Sequence, residues 1–510
     1  FKQEQKMKMN ITFLCFLVLL AVSFVLADYP GTTILTKDGY IDGTEKENHY
    51  EYLGIPYAEV QRFEKPANPI KWNHIMDTKD YGPICPQPKS HVFSFNMSEN
   101  CLTLNVFVPK TSSPTTKYEV MFWIHGGAFR TGSGRLYDPS QFMDPMSTSP
   151  KIVVTINYRL GAFGFLQAKQ LGNFGLYDQV KALQWVRSNI GQFLGDPEKI
   201  TVFGESAGGF STAIMFLSQR LNIKKAIVQS GIIKNYEAQP SELKNQEFSK
   251  FLQATNCDSL SCLNGKSMDD LLAVSNKMDW LPTIDPMIMN GTITEVTNQL
   301  LANIGNETKH IVIGSTHDEW NGLLCKLFPN QEVTPEQMYQ LYLSHINAQL
   351  SMEQFQELVG LYVDHFPNNK NNFYILSRIL NDWLFHCPQT FMLDQLAKLP
   401  SQIYSRAYRL DLKFEKAYEC GGVTHAMDIP YLFPNTLPGV VPGQTHFTEA
   451  EKKLSDTMVS LWASFAGNTT LSNWPQSTES EDFPLMLFNS PLNVEKDIYH
   501  SFCAKVKPYY

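Results

Sequence analysis

Five short runs of branched and aromatic residues constrain the fold of this chain more than any other feature: VMFWI (120–124), IVVTI (152–156), ITVF (200–203), KAIV (225–228) and IVIG (311–314). Each is apolar at consecutive positions, as strands are when both faces of their sheet are covered. Between the second and third runs, GLYDQVKALQWVRSNI sets Leu176, Val180, Leu183, Val186 and Ile190 at helical spacing, and GFSTAIMFLS after the third reads as a second helix. Strand, helix, strand, helix predicts an α/β fold with a mostly parallel central sheet and helices on both faces. The chain has 510 residues, 43% of them hydrophobic, and lacks linkers, repeats and low-complexity tracts. One domain over 28–510 with large insertions is therefore expected.

Parallel sheets gather their chemistry at the carboxyl ends of strands, and one of these runs ends beside a serine. In TVFGESAGGF (201–210) the strand is read as ending at Phe203, with a tight turn carrying Ser206 and a helix beginning at once. G-x-S-x-G alone is weak, since chance supplies about 0.2 copies in a chain this long. Strand, sharp turn and helix together are the setting of a nucleophile elbow, where Gly204 and Gly208 give room for the reversal. The bland alternative is a glycine-rich turn with an idle serine. Ala207 would present its amide at a helix N-terminus, where developing negative charge is favoured.

A second glycine-rich loop, WIHGGAFRTGSG (123–134), follows another strand. Its free backbone amides suit an oxyanion hole, in which one donor is worth on the order of 3 kcal/mol of transition-state stabilisation. Gly127, Ala128 and Ala207 are the candidate donors. A phosphate-binding loop is the rival, but no G-x-x-x-x-G-K-[ST] or well-placed G-x-G-x-x-G accompanies it.

The first 27 residues read as a secretory signal. Lys6 and Lys8 precede an apolar run ending Val25, Leu26, Ala27, with cleavage expected before Asp28; an uncleaved anchor is the alternative. No other stretch is long and apolar enough to span a bilayer. Of nine cysteines, Cys15 falls in the signal. The remaining eight suit disulfides in a secreted or vesicular protein, though they allow 105 pairings. Their spacing lacks the paired units of a zinc site, and no metal or cofactor is expected. Asn96, Asn290, Asn306 and Asn468 are sequons for glycosylation. A net charge of -8 provides no basic stripe for nucleic acid.

GESAGG, IHGGAF, NYRLGAFGFL (157–166), GNFGLYDQVKALQWVRSNI (172–190), GIPYAE (54–59) and ENCLTLNV (99–106) together resemble the type-B carboxylesterases, the α/β-hydrolase family that includes cholinesterases. The resemblance runs from about residue 30 to Cys503. It implies a serine, glutamate, histidine triad in that chain order. Glu319 in IGSTHDEWNGLL and His425 in GGVTHAMDIPYLF match the family positions, with His317 and Asp318 as local rivals for the acid. Glu205 and Ser230 match residues that support the histidine or acid, and either could be an ordinary polar core residue. Arg62 and Glu99 match a buried structural ion pair, and Asn100 replaces the usual aspartate beside it.

The resemblance also implies bridges Cys85–Cys101, Cys257–Cys262 and Cys387–Cys503. Cys325 and Cys420 are left, six residues after Glu319 and five before His425; a fourth bridge beside the triad is expected. Cholinesterases stack a quaternary ammonium on a tryptophan between the first two cysteines, but CPQPKSHVFSFNMSENC has none. Gly322 also stands where relatives carry an aromatic. A neutral carboxylic ester is the expected small-molecule substrate, although Phe93 or Phe95 could partly substitute for the tryptophan. The alternatives are an interfacial lipase, or a silent adhesion or storage protein, as some members of this fold are.

Overall fold

The computed structural model describes residues 32–89, 94–110, 117–144, 149–167, 172–232, 241–283, 285, 288, 291, 293–346, 350–399, 401–415, 419–435, 447–467, 471, 473–477 and 484–509. The expected leader at 1–27, Phe93, Asn290 and Asn468 lie outside the described residues.

The strands are β1 (Thr33–Leu35), β2 (Tyr40–Asp42), β3 (Thr44–Glu45), β4 (His49–Pro56), β5 (Ile75–Asp77), β6 (Thr103–Pro109), β7 (Tyr118–Ile124), β8 (Ile152–Ile156), β9 (Gly195–Glu205), β10 (Lys225–Gln229), β11 (Lys309–Thr316), β12 (Ile403–Leu410), β13 (Pro484–Phe488) and β14 (Asn493–Lys496). Eleven of them form one sheet in the order β14-β13-β12-β11-β10-β9-β7-β8-β6-β4-β3, while β1, β2 and β5 pair separately. Every neighbouring pair from β13 to β8 is parallel. Antiparallel strands lie at both edges. The five runs read from the sequence are β7 to β11.

Side chains alternate across the sheet, as the pleat dictates. Val120, Phe122 and Ile124 of β7 enter one core with Leu176, Leu183 and Val186 of the helix Phe174–Asn189 and Phe210, Ala213 and Ile214 of the helix Ala207–Leu217. Met121 and Trp123 enter the opposite core with Met458, Val459 and Trp462 of the helix Glu449–Gly467. Burial on both faces explains why these strands are apolar throughout. A third cluster, including Tyr342, Leu358, Ile379, Trp383 and Phe502, gives the helical segment between β11 and β12 a core of its own. That segment is one of the large insertions expected from length.

One boundary differs from the sequence reading. β9 continues beyond Phe203 to Glu205, because β10 pairs with it in register as far as Gln229 opposite Glu205. The strand therefore delivers the chain directly to Ser206.

Candidate active site

Ser206 begins the helix Ala207–Leu217 with φ 55° and ψ −123°, a left-handed turn costly for a residue with a side chain. Neighbouring strands and the loop after β7 hold it there. Its amide donates to Gln229 O of β10 at 2.9 Å. A Cβ on Gly208 would sit 1.9 Å from Ile124 O, and one on Gly204 2.6 Å from Gly208 C, so the turn closes against β7 only with glycine at both places. At 7% exposure Ser206 is nearly enclosed.

The loop after β7 packs on this turn: a Cβ on Gly126 would come 3.1 Å from Ser206 Cβ. Gly127 and Ala128 have φ of 106° and 53°. Among the described residues, the amides of Gly127 and Ala128 have no backbone partner. His125, absent from the sequence reading, fixes this loop. Its Nδ1 pairs with Gly126 O at 2.8 Å, its ring stacks on Tyr158 at 4.4 Å, and Tyr158 OH donates to His125 O. Burial drives its pKa down to about 4, so the ring stays neutral. The signal was present, since both residues lie within the quoted motifs.

Glu319 follows β11, and His425 lies on the segment leaving β12. His425 Nδ1 is 2.5 Å from Glu319 Oε2. The other carboxylate oxygen accepts from Ser230 Oγ at 2.6 Å and from Thr316 N at 2.8 Å. The rival acid is engaged elsewhere: Asp318 pairs with Arg378 and His317 and accepts from Val423 N. Glu205 approaches the other face of the imidazole, with Oε1 3.2 Å from Nε2. Burial would lower the His425 pKa, but the Glu205 and Glu319 charges and the Glu319 hydrogen bond outweigh it and raise it. Burial raises Glu205 in turn. Asp428, three residues beyond His425, accepts from Gln229 Nε2 at 2.7 Å and Tyr408 OH at 3.0 Å, adding a third buried carboxyl to the set. It was not read from sequence, and neither was Phe385, whose ring lies 5.3 Å from that of His425. Phe385 is delivered by a π-helical turn, Asp382–His386, in the middle of a longer helix.

All eight cysteines of the described chain are paired: Cys85–Cys101, Cys257–Cys262, Cys325–Cys420 and Cys387–Cys503. The Arg62–Glu99 pair forms and is mostly rather than fully buried, with side chains 16% and 30% accessible. Its position explains this, for Arg62 also reaches the carbonyls of Leu263, Asn264 and Lys266 at the surface beside the Cys257–Cys262 loop. Phe95 carries Arg135 over its ring at 3.9 Å, so a cation of the protein already occupies that face. At Gly322 a Cβ would meet Thr424 Oγ1 at 2.7 Å, leaving no room for an aromatic. Asn96 and Asn306 are exposed. Among the described residues no cluster of three or more His, Cys, Asp or Glu could hold a metal, and no helix is long and apolar enough to cross a membrane.

The carboxylesterase family model matches residues 30–505. The chain belongs to the carboxylesterase family. Para-nitrobenzyl esterase of Bacillus subtilis is 31% identical to this carboxylesterase over 500 residues, covering 91% of this chain and 96% of that protein. The acetylcholinesterase of Electrophorus electricus is 29% identical, with 93% and 88% covered. The crystal protein of Dictyostelium discoideum is 31% identical, with 85% and 81% covered. A solved structure of PNB esterase superimposes with a TM-score of 0.77 at 30% identity, covering 93% of this chain and 99% of that one. The fold is the α/β-hydrolase fold, and this carboxylesterase is a carboxylic ester hydrolase.

Proposed function

We propose that this carboxylesterase cleaves neutral carboxylic esters through an acyl-enzyme, with Ser206 as nucleophile, His425 as general base and acid, and Glu319 as the acid that orients the imidazole. The 2.5 Å contact between Glu319 Oε2 and His425 Nδ1 supports the reading most. With the Nδ1 proton on the carboxylate side, Nε2 is the atom that accepts the Ser206 proton. Nε2 lies 3.2 Å from Glu205 Oε1, so the imidazole turns from that carboxylate to Ser206 before attack. Ser206 Oγ then bonds to the ester carbon, and the carbonyl oxygen becomes an oxyanion against the amides of Gly127, Ala128 and Ala207. His425 returns the proton to the departing alcohol. Water cleaves the acyl-enzyme by the same route, with Glu319 balancing the imidazolium each time. Glu205 and Ser230 act through His425 and Glu319.

Neutral esters are favoured over choline esters because position 322 has no room for an aromatic and the Phe95 face is taken by Arg135. Residues 28–510 form one catalytic domain after a signal at 1–27. The bridges favour an oxidising, secretory compartment, with glycans at Asn96 and Asn306 and at the sequons Asn290 and Asn468.

The test is p-nitrophenol release from acetyl, butyryl and octanoyl esters by the full chain and by Ser206→Ala, with acetylthiocholine alongside. Turnover of the nitrophenyl esters that vanishes in the variant, with slower thiocholine cleavage, is expected. Activity unchanged in a folded Ser206→Ala protein would remove Ser206 as nucleophile.

A further inference from the structure

The four bridges differ in what surrounds them. Cys85, Cys101, Cys387 and Cys503 are at most 1% exposed. Cys257–Cys262 spans only 5 residues, in the surface loop beside Arg62. Cys325–Cys420 alone combines a long span with accessibility: it joins positions 95 apart, and both cysteines are half-buried, as Cys257 and Cys262 are. Cys325 lies on the short helix Asn321–Leu327, which follows Glu319, and Cys420 on the turn Glu419–Gly421, which precedes His425.

The two segments are zipped between the bridge and the triad. Asp318 N donates to Val423 O at 2.9 Å, and Val423 N donates to Asp318 Oδ2 at 3.0 Å. Gly322 N donates to Thr424 Oγ1 at 2.8 Å, and His425 N donates to Glu319 O at 3.2 Å. Neither segment is a strand here, so no sheet ladder fixes one against the other. Hydrogen bonds at half-exposed loops are individually of modest net worth. A catalytic pair, in contrast, needs its geometry held to within about 0.5 Å.

We propose that the Cys325–Cys420 bridge is a positioning cross-link that keeps Glu319 in register with His425, and that a dithiol reductant lowers turnover by opening it. The inference rests on the triad proposed above. In the reaction, one reductant thiolate attacks a bridge sulfur to give a mixed disulfide, and the second thiol displaces the protein sulfur. The reductant leaves as a cyclic disulfide. Its two electrons and two protons end on Cys325 and Cys420 as two thiols. The Cys85–Cys101 and Cys387–Cys503 bridges are shielded from this attack by burial, and Cys257–Cys262 joins neither triad segment.

The experiment uses the folded full chain. It is titrated with dithiothreitol, alkylated and peptide-mapped, and assayed at each step with p-nitrophenyl acetate across pH. Labelling of Cys325 and Cys420 is expected to track a loss of kcat of about tenfold with KM little changed, reversed on reoxidation. The acid limb of the pH profile is expected to move to lower pH, because a Glu319 out of register raises the His425 pKa less; Glu205 and Asp428 are the other carboxyls near that ring. A merely structural bridge would not move that limb. Cys257→Ser/Cys262→Ser should retain wild-type kcat. Where reduction unfolds the protein first, Cys325→Ser/Cys420→Ser, checked for folding by circular dichroism, is expected to show the same kcat loss and limb shift. Full labelling or substitution at 325 and 420 with kcat and limb unchanged overturns the positioning role. A wild-type activity that survives Ser206→Ala overturns the triad instead, and the inference with it.

Discussion

Replacing Glu319 with glutamine keeps shape and removes charge, which makes it the sharpest probe of the proposed triad's acid. Oε1 accepts from Thr316 N at 2.8 Å and Ser230 Oγ at 2.6 Å. Two donors facing that oxygen force the glutamine carbonyl into its place. The amide nitrogen must then face His425 Nδ1, at the position now 2.5 Å away. An N–H donor there makes Nδ1 the acceptor and puts the imidazole proton on Nε2, the atom required as base. The imidazolium also loses its counter-charge, an attraction of about 4 kcal/mol for charges near 4 Å apart at an effective dielectric of 20. With the tautomer fault added, about 5 kcal/mol, or about 5,000-fold in kcat/KM, is expected. Initial rates on p-nitrophenyl acetate, with near-ultraviolet circular dichroism to check folding, measure it. A folded Glu319→Gln protein within about tenfold of wild type would refute the assignment of the acid.

Gly208→Ala puts a methyl 1.9 Å from Ile124 O, so the elbow must open. A loss of at least about 100-fold in kcat is expected, since displacements near 1 Å at a nucleophile are that costly. Glu205→Gln removes one of the charges that raise the His425 pKa. The neutral imidazole then persists to lower pH, and the acid limb of kcat/KM moves down; a limb that stays or rises would exclude Glu205 as a charge acting on His425. Arg159 holds Asp178 through two charged contacts, at 2.7 and 2.6 Å, with the Asp178 side chain fully buried. Arg159→Met strands that carboxylate, and a stability loss of about 3–5 kcal/mol should lower the urea midpoint.

The sheet's centre was legible because β7 to β11 are buried on both faces and so read as unbroken apolar runs. β12, IYSRAYRL, hid its place in the same sheet behind two arginines. Those charges are tolerated through partners outside the strand: Arg406 Nε donates to the distant Trp474 O, and Arg409 grips Asp411 just beyond the strand's end. No local rule reveals a partner as far along the chain as Trp474. The serine elbow declared itself because steric demand puts glycine at fixed offsets. The proposed acid did not: Asp318 and Glu319 are adjacent, and what diverts the first is largely distant, Arg378 60 residues on and Val423 N beyond it, together with the neighbouring His317. Phe385 was invisible for a similar reason, because a π-helical turn leaves no signature in residue order.

The central claim is a covalent intermediate on Ser206. Intact-mass and peptide mapping after a fluorophosphonate, which phosphonylates an activated serine, test it most directly. One adduct per chain, on the peptide carrying Ser206, with esterase activity lost in proportion, is the predicted result. An adduct elsewhere, or full activity after complete labelling of Ser206, would contradict it.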